Sequence, residues 1–259
     1  MKTKTKVISV LNFKGGVGKT TTVLNLGAAL ARTGKKVLII DLDVQMNTSF
    51  VLGYSSSDGE SMYDVLMDKV EDNNYPIYDT KTEGLVFIPS NMNLTSVEMK
   101  LEDNVDINYV LADQLAKLKR RYPFFDYILI DCPPAKGFLT NNALCASDSL
   151  LVPITCELMT MQGVMVIIEK YKQVTQRANK NLKIEGFLLT KYNKGYKVGQ
   201  FVRDLLTQKD VKVFDTSIRN CMALNVYCNG WQNVFDYDAK CNGSQDYMNL
   251  AEEIIKNNK

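Results

Sequence analysis

Residues 14 to 20 read Lys14-Gly15-Gly16-Val17-Gly18-Lys19-Thr20, a glycine-rich run closed by a lysine and a hydroxyl. Glycines at 15, 16 and 18 let the backbone take positive φ and turn several N–H groups onto phosphate oxygens that a Cβ would obstruct. Lys19 sits where its ammonium reaches β- and γ-phosphates, and the Thr20 hydroxyl is placed to ligate a Mg²⁺ bridging the same oxygens. Residues 15 to 21, Thr21 included, are therefore the expected binding stretch for a nucleotide polyphosphate. Lys14 adds a second positive charge at the front edge of this loop.

Two further carboxylate clusters belong to the same chemistry. Lys36 to Asp41 is an apolar strand that ends in Asp41-Leu42-Asp43-Val44-Gln45-Met46-Asn47, and carboxylates at the C-terminal edge of a parallel strand lie on the ligand-binding rim of such sheets. Asp126 to Asp131 is a second apolar strand, stopped by Pro133 and Pro134, which cannot extend its hydrogen bonding. Asp131 at its end is placed to hold the Mg²⁺ shell opposite Thr20.

These groups need a scaffold, and the hydrophobic pattern supplies one. Val7, Ile8, Val10 and Leu11 read as a buried strand leading into the loop; Val23, Leu24, Leu26, Ala28 and Leu30 recur on one helical face, and Gly34 closes that helix. Further strands are expected at Leu85 to Pro89, Ser149 to Pro153, Leu182 to Thr190 and Val211 to Phe214. Helices are expected at Val105 to Leu118, Val164 to Val174, Val198 to Leu206 and Ser244 to Ile255. Strands separated by helices imply an α/β fold with a mainly parallel, doubly wound sheet and helices on both faces. Tyr54 to Thr82 is the least regular stretch and is expected to form a mobile surface excursion. With no linker in 259 residues, residues 1 to 259 read as one domain.

Composition removes several classes of function. The net charge is +2, from 31 basic and 29 acidic residues, so a nucleic-acid surface has to be a local patch. The chain has no histidine, which eliminates Ser-His-Asp and Cys-His catalysis and every histidine-containing metal site. Its six cysteines form no CxxC pair, so reduced thiols and no structural zinc are expected. No run of about eighteen apolar residues occurs, and no membrane anchor is expected.

The lysine-flanked loop resembles that of the deviant Walker A ATPases, the family of the ParA/Soj partition proteins and MinD, whose loop reads KGGxGKT. The resemblance continues through Asp131 to Pro134 and Gly137-Phe138-Leu139-Thr140-Asn141-Asn142-Ala143-Leu144, parallel to DxPPxxGxLTxNAL, and through Glu157 and Gly163. It implies that ATP and Mg²⁺ are bound, and that Lys14 reaches across an ATP-sandwich homodimer to the partner subunit's phosphates. Such an arrangement is electrostatically reasonable, because a buried ATP needs more positive charge than one loop supplies. The family's DxDPQGN pattern matches Asp43 to the carboxylate that positions the attacking water and Asp41 to a residue near the magnesium shell. Val44 and Met46 stand where the pattern has Pro and Gly, and Cys221 to Phe235 diverges from it.

By the same resemblance the function is DNA partition. The ATP dimer binds duplex DNA without sequence preference, and a ParB-like centromere-binding adaptor stimulates a slow hydrolysis and releases the DNA. Candidate phosphate contacts are Lys191, Lys194 and Lys197 in a glycine-containing loop, with Arg219 and Lys240 at basic family positions. The P-loop begins within the first fifteen residues, which leaves no room for an N-terminal helix-turn-helix domain. The implied location is cytoplasmic and associated with the nucleoid. A MinD-like membrane-cycling ATPase is the alternative, but it needs a basic amphipathic C-terminal helix, and Ala251 to Lys259 carries Glu252 and Glu253 in its middle. A metabolic P-loop enzyme is a third reading, for which no acceptor-substrate signature is evident. An iron-sulfur reductase would need paired cysteines, and Cys132 lacks a second ligand.

Overall fold

The computed structural model describes residues 5–55, 59–70, 74–157, 160–193, 197–208, 211–225 and 232–258. Strand β1 (Lys6–Val10) leads through the phosphate loop into α1 (Lys19–Arg32), followed by β2 (Val37–Asp41) and the short helices α2 (Asn47–Val51) and α3 (Met62–Leu66). Next come β3 (Tyr78–Asp79), β4 (Leu85–Ile88), α4 (Val97–Lys100), α5 (Val110–Arg121), β5 (Tyr127–Asp131) and α6 (Phe138–Ala146). Then follow β6 (Ser149–Thr155), α7 (Thr160–Arg177), β7 (Lys183–Thr190), α8 (Lys197–Gln208), α9 (Val234–Asp238) and α10 (Asn242–Asn257).

The strands form one seven-stranded sheet in the order β3-β4-β2-β5-β1-β6-β7. Only the edge pair β3-β4 is antiparallel. Alternation along the strands divides the core in two. Ile8, Val10, Ile39 and Leu129 face α1 and α10, whereas Val7, Leu38, Ile40, Ile128 and Ile130 face α5, α6 and α7. Burial on both faces explains why β2 and β5 read as continuous apolar runs.

The sheet register positions the chemistry. Val10 pairs with Asp131, and Asp131 with Asp41, so the loop leaving β1 and both strand-end carboxylates emerge together. Parallel partners point to the same face about 5 Å apart, which sets the two acids side by side.

Three elements depart from the expectations. The helix expected from Val105 begins at Val110, and Val105 is 97% exposed. The Asn104 side chain accepts the Asp106 N–H at 2.8 Å, a local turn that competes with helix formation. The strand expected over Val211 to Phe214 reduces to one parallel bridge between Val213 and Phe187. There the buried Phe214 ring packs against Gly186, where a Cβ would come within 2.7 Å of ring carbon Cε2. Gly186→Ala is expected to destabilise the protein by about 1–3 kcal/mol through overpacking, measurable as a lowered denaturant midpoint.

The stretch from Tyr54 to Thr82 is not a loose excursion where it is described. Ser61 and Asp64 form a capping box that starts α3. Tyr54, Met62, Val65, Leu66 and Tyr75 are buried, and Tyr54 packs edge-on to Tyr78 at 5.3 Å. Its apolar residues follow no long period, so only tertiary contact reveals their role.

Candidate nucleotide and magnesium site

The phosphate loop is held at both ends before it turns. Asn12 accepts the Lys14 N–H at 2.9 Å and donates to the Pro153 carbonyl at 2.8 Å, while the Thr190 hydroxyl donates to the Val17 carbonyl at 2.9 Å. Gly16 and Gly18 have φ of 71° and 92°, the left-handed region that a Cβ disfavours. A methyl group built on Gly15 or Gly16 would meet no protein atom within 4 Å. The protein's own packing therefore leaves this concavity open, and a polyanion facing the N-terminus of α1 fits it.

Lys19 is 8% exposed at the first position of α1, and its ammonium donates to the Lys14 carbonyl at 3.4 Å. Burial lowers its pKa, against the pull of the Asp131 and Asp43 carboxylates. Beside it, the Thr20 hydroxyl donates to Asp131 Oδ2 at 2.8 Å, and the Thr48 hydroxyl donates to the same oxygen at 2.6 Å. Asp131 Oδ1 is buried and accepts no hydrogen bond. An orphaned carboxylate oxygen next to a hydroxyl and a phosphate cradle suits Mg²⁺, a hard ion that takes few protein ligands and fills its octahedron with water and phosphate oxygens.

Asp41 lies beside Asp131 in the sheet register, near the expected magnesium shell. Its Oδ1 accepts the Asp43 N–H at 3.0 Å, and its Oδ2 accepts both the N–H (2.9 Å) and the hydroxyl (2.6 Å) of Ser49. Fully buried and so bonded, it anchors the loop from Asp43 to Ser49. Asp43 itself is 7% exposed; its Oδ1 accepts the Gln45 N–H at 3.0 Å and its carbonyl accepts the Ser90 hydroxyl at 2.8 Å. It lies close enough to act electrostatically on both Lys19 and Asp131.

Burial raises the pKa of Asp131 and, with added repulsion from Asp131, that of Asp41. Their folded-state values exceed the ordinary value of about 3.9, so the folded protein holds these protons more tightly than the unfolded chain. That contribution to stability is complete below the unfolded pKa and disappears as pH rises through the folded values. The metal-free protein is expected to melt at progressively lower temperature from about pH 4 into the neutral range, and Mg²⁺ with nucleotide should flatten the fall.

Lys14 stands on the outer lip. Its ammonium pairs with Glu157 Oε2 at 2.7 Å, with the two side chains 49% and 55% exposed, and this contact holds the Glu157 carboxyl below its usual range. A surface pair of this kind contributes about 0–1 kcal/mol, so it exchanges readily.

Of the basic residues expected at DNA, Lys191 and Arg219 line one cavity, and Lys240 is joined to Arg219 through Gln245. Lys194 falls outside the described residues, and Lys197 begins α8 with its side chain outside them. Arg219 is not a free cation: it donates from Nε and an Nη to Asp246 at 2.7–3.0 Å, and its N–H donates to the same carboxylate at 2.8 Å. Gln245 links it to Lys240, accepting from Arg219 at 3.4 Å and donating to the Lys240 carbonyl at 3.3 Å. Lys191 has φ 51° and, with Arg219, lines a cavity of about 330 Å³ that opens from the phosphate loop.

No local sequence signal marks that cavity. Val17, Gly18 and Thr21 form one wall, and Thr190, Asn220 and Tyr247 contribute others. The parallel bridge between Tyr192 and Arg219 brings residues 218–225 to the loop, a long-range pairing without a local sequence signal.

A family model described as an AAA domain matches residues 5–184. The chromosome partitioning protein ParA of Caulobacter vibrioides is 38% identical over 256 residues, covering 96% of this chain and 94% of its own. The chain belongs to the ParA/Soj family of partition ATPases. The sporulation initiation inhibitor protein Soj of Bacillus subtilis is 37% identical, with 97% of this chain and 99% of its own length covered. Among solved structures, cobyrinic acid a,c-diamide synthase of Mycobacterium smegmatis with bound ADP and magnesium superposes with a TM-score of 0.84 at 32% identity, over 97% of this chain and 94% of its own.

Within this ParA/Soj chain the loop after Asp43 contains one non-glycine residue in the left-handed region. Met46, at the glycine of the DxDPQGN pattern, takes φ 56°, ψ 24°. A left-handed residue with a Cβ carries local strain of about 1–2 kcal/mol, borne here by the hydrogen bonds from Ser49 and Ser90. Cys132, after Asp131, is fully buried with its thiol pushed up to about 12 by that burial, as suits an inert packing residue.

Proposed function

We propose that this partition ATPase works as an ATP-operated clamp on DNA. ATP lies with its phosphates on residues 15 to 21 and its adenosine in the adjoining cavity. Lys19 neutralises charge on the β- and γ-phosphates, Thr20 and Asp131 hold Mg²⁺, and Asp43 orients the attacking water. When bound, Mg²⁺ would offset charge on the phosphates. Two loaded chains close face to face, each Lys14 exchanging Glu157 for the partner's phosphates. All 259 residues serve as one ATPase domain, in the cytoplasm and on the nucleoid.

The observation that carries this reading is the contrast between the two lysines. Lys19 is buried against its own carboxylates, whereas Lys14 is half-exposed on the lip and held by one exchangeable ion pair. A second cation so placed serves a phosphate that arrives from outside the chain.

DNA phosphates meet Lys191 and Lys240, and a ParB-like adaptor stimulates hydrolysis and release. The alternative output, a lipid surface, is disfavoured by α10, whose Tyr247, Leu250, Ala251 and Ile254 are buried against α1 and the sheet. Its apolar face is already covered by the protein's own core.

The test is retardation of an arbitrary duplex. The protein with ATP and Mg²⁺ is expected to shift DNA in a salt-sensitive way and the ADP form is not; a wild-type protein indifferent to DNA in every nucleotide state would refute the clamp. Lys240→Ala should lower the slope of log affinity against log salt by about one. Arg219→Ala should instead lower the melting temperature and nucleotide affinity, because it releases the Asp246 clamp beside the cavity.

A further inference from the structure

Thr48 lies between the two parts of the site that have to work together. It sits in the second position of α2 with no exposed surface, and its hydroxyl donates to Asp131 Oδ2 at 2.6 Å. The loop it belongs to carries Asp43 and is tied at its base to Asp41 through the Asp43 N–H and through Ser49. Ser90 fastens its flank, donating from its hydroxyl to the Asp43 carbonyl and from its N–H to the Ser49 hydroxyl, both at 2.8 Å. Among the described residues, Thr48 supplies the hydrogen bond from this loop to the carboxylate of Asp131.

The consequence follows from counting acceptor sites. Thr20 of the phosphate loop and Thr48 of the Asp43 loop both donate to Oδ2, which fixes the carboxylate plane from two sides. Oδ1 is left buried without a donor. A carboxylate oriented in this way presents one defined oxygen to a cation or to its bound water, and such supporting hydrogen bonds set the affinity of a metal site as well as its geometry.

We infer that Thr48 is a positioning residue that couples occupancy of the magnesium site to the order of the loop carrying Asp43. The inference rests on the nucleotide and Mg²⁺ reading given above. Coupling is reciprocal: if the Thr48 hydroxyl helps Asp131 receive the ion, the ion must in turn hold Thr48 and its loop in place. The loop that orients water would then be most ordered when the metal and nucleotide are present. A Thr48 hydroxyl that merely satisfied its own hydrogen-bonding need would leave metal affinity and loop order unlinked.

The experiment uses Mn²⁺ as a spectroscopic probe of the magnesium site, titrated into the full-length protein with ADP and followed by electron paramagnetic resonance. Thr48→Val, which keeps the shape and removes the hydroxyl, is expected to weaken Mn²⁺ binding about 10-fold or more. Thr48→Ser, which keeps the hydroxyl, should stay within about twofold of wild type. Hydrogen exchange across residues 41 to 50 provides the second readout. Adding Mn²⁺ to the ADP complex should slow exchange there in the wild type and in Thr48→Ser, but not in Thr48→Val.

Equal Mn²⁺ affinity and equal metal-dependent protection in wild type and Thr48→Val would overturn the inference. So would a Thr48→Ser variant as impaired as Thr48→Val, since methyl packing and not the hydroxyl would then carry the effect. Failure of the wild type itself to bind Mn²⁺ with ADP is a different result, one that overturns the nucleotide-site reading and this inference with it.

Discussion

Asp43→Ala is expected to reduce ATP hydrolysis by about 10² to 10⁴-fold, the range typical of losing a group that manages the attacking nucleophile's proton or position, while ATP binding survives. The reasoning is geometric. The Asp43 carboxylate accepts the Gln45 N–H and lies close enough to act on Lys19 and Asp131. The loop's anchorage depends on Asp41, Thr48 and Ser49, together with the Asp43 backbone, so removing the Asp43 side chain leaves most of the fold of the site in place. The variant should therefore accumulate as an ATP-loaded, DNA-retaining dimer. Single-turnover hydrolysis and filter binding of labelled ATP measure the two halves of this statement separately. A variant that hydrolyses ATP at the wild-type rate would remove Asp43 from the catalytic assignment.

The two lysines of the loop should fail in different ways. Lys19→Ala removes the buried cation of the cradle and is expected to weaken ATP binding by about 100-fold, close to the 3 kcal/mol that charge-assisted hydrogen bonds to phosphate contribute. Lys14→Ala removes a half-exposed side chain whose described partner is Glu157. Nucleotide affinity of the single chain should change by less than about threefold, in line with the small contribution of exposed pairs, whereas ATP-dependent association should be lost. Calorimetric titration with ATP distinguishes the variants, provided protein concentration is varied so that association is seen as well as binding. Equal loss of nucleotide affinity in both variants would show that Lys14 serves its own chain's phosphates.

Much of this site could be read from sequence because its parts are local. Three glycines, a lysine and a threonine in one loop declare a phosphate cradle, and Asp41, Asp43 and Asp131 lie at the ends of apolar strands whose parallel pairing follows from alternation with helices. The register then brings Asp131 beside Asp41 and Val10, as the strand-end reading requires. Relations across the chain were not legible. Thr48 is one hydroxyl in a polar run, and nothing local shows that it closes on Asp131, 83 residues away. Arg219 is a candidate phosphate contact by its family position, and nothing local shows its pairing with Asp246, 27 residues further on in α10. Asp41 and Asp43 stand at the same strand end, and the bonds that Asp41 accepts from Ser49 and from the Asp43 N–H, which make it the loop's anchor, have no local signal. Where a local interaction decided the outcome, as with the Asn104 turn that delays α5, periodicity alone overran the helix start.

Met46 connects the family's pattern to this chain's particular behaviour. Its left-handed backbone is adopted without glycine, and the hydrogen bonds of the loop from Asp43 to Ser49 to Asp41, Ser90 and Asp131 hold it there. One of those bonds, from Thr48, reaches the carboxylate of Asp131, at which Mg²⁺ is proposed to act.

The mass of the protein in solution with a non-hydrolysable ATP analogue and Mg²⁺, measured by light scattering and compared with the ADP form, tests the central claim most directly. The shared-nucleotide arrangement predicts two chains with the analogue and one chain with ADP. A single-chain mass in both states, at protein concentrations where the analogue is fully bound, would contradict it.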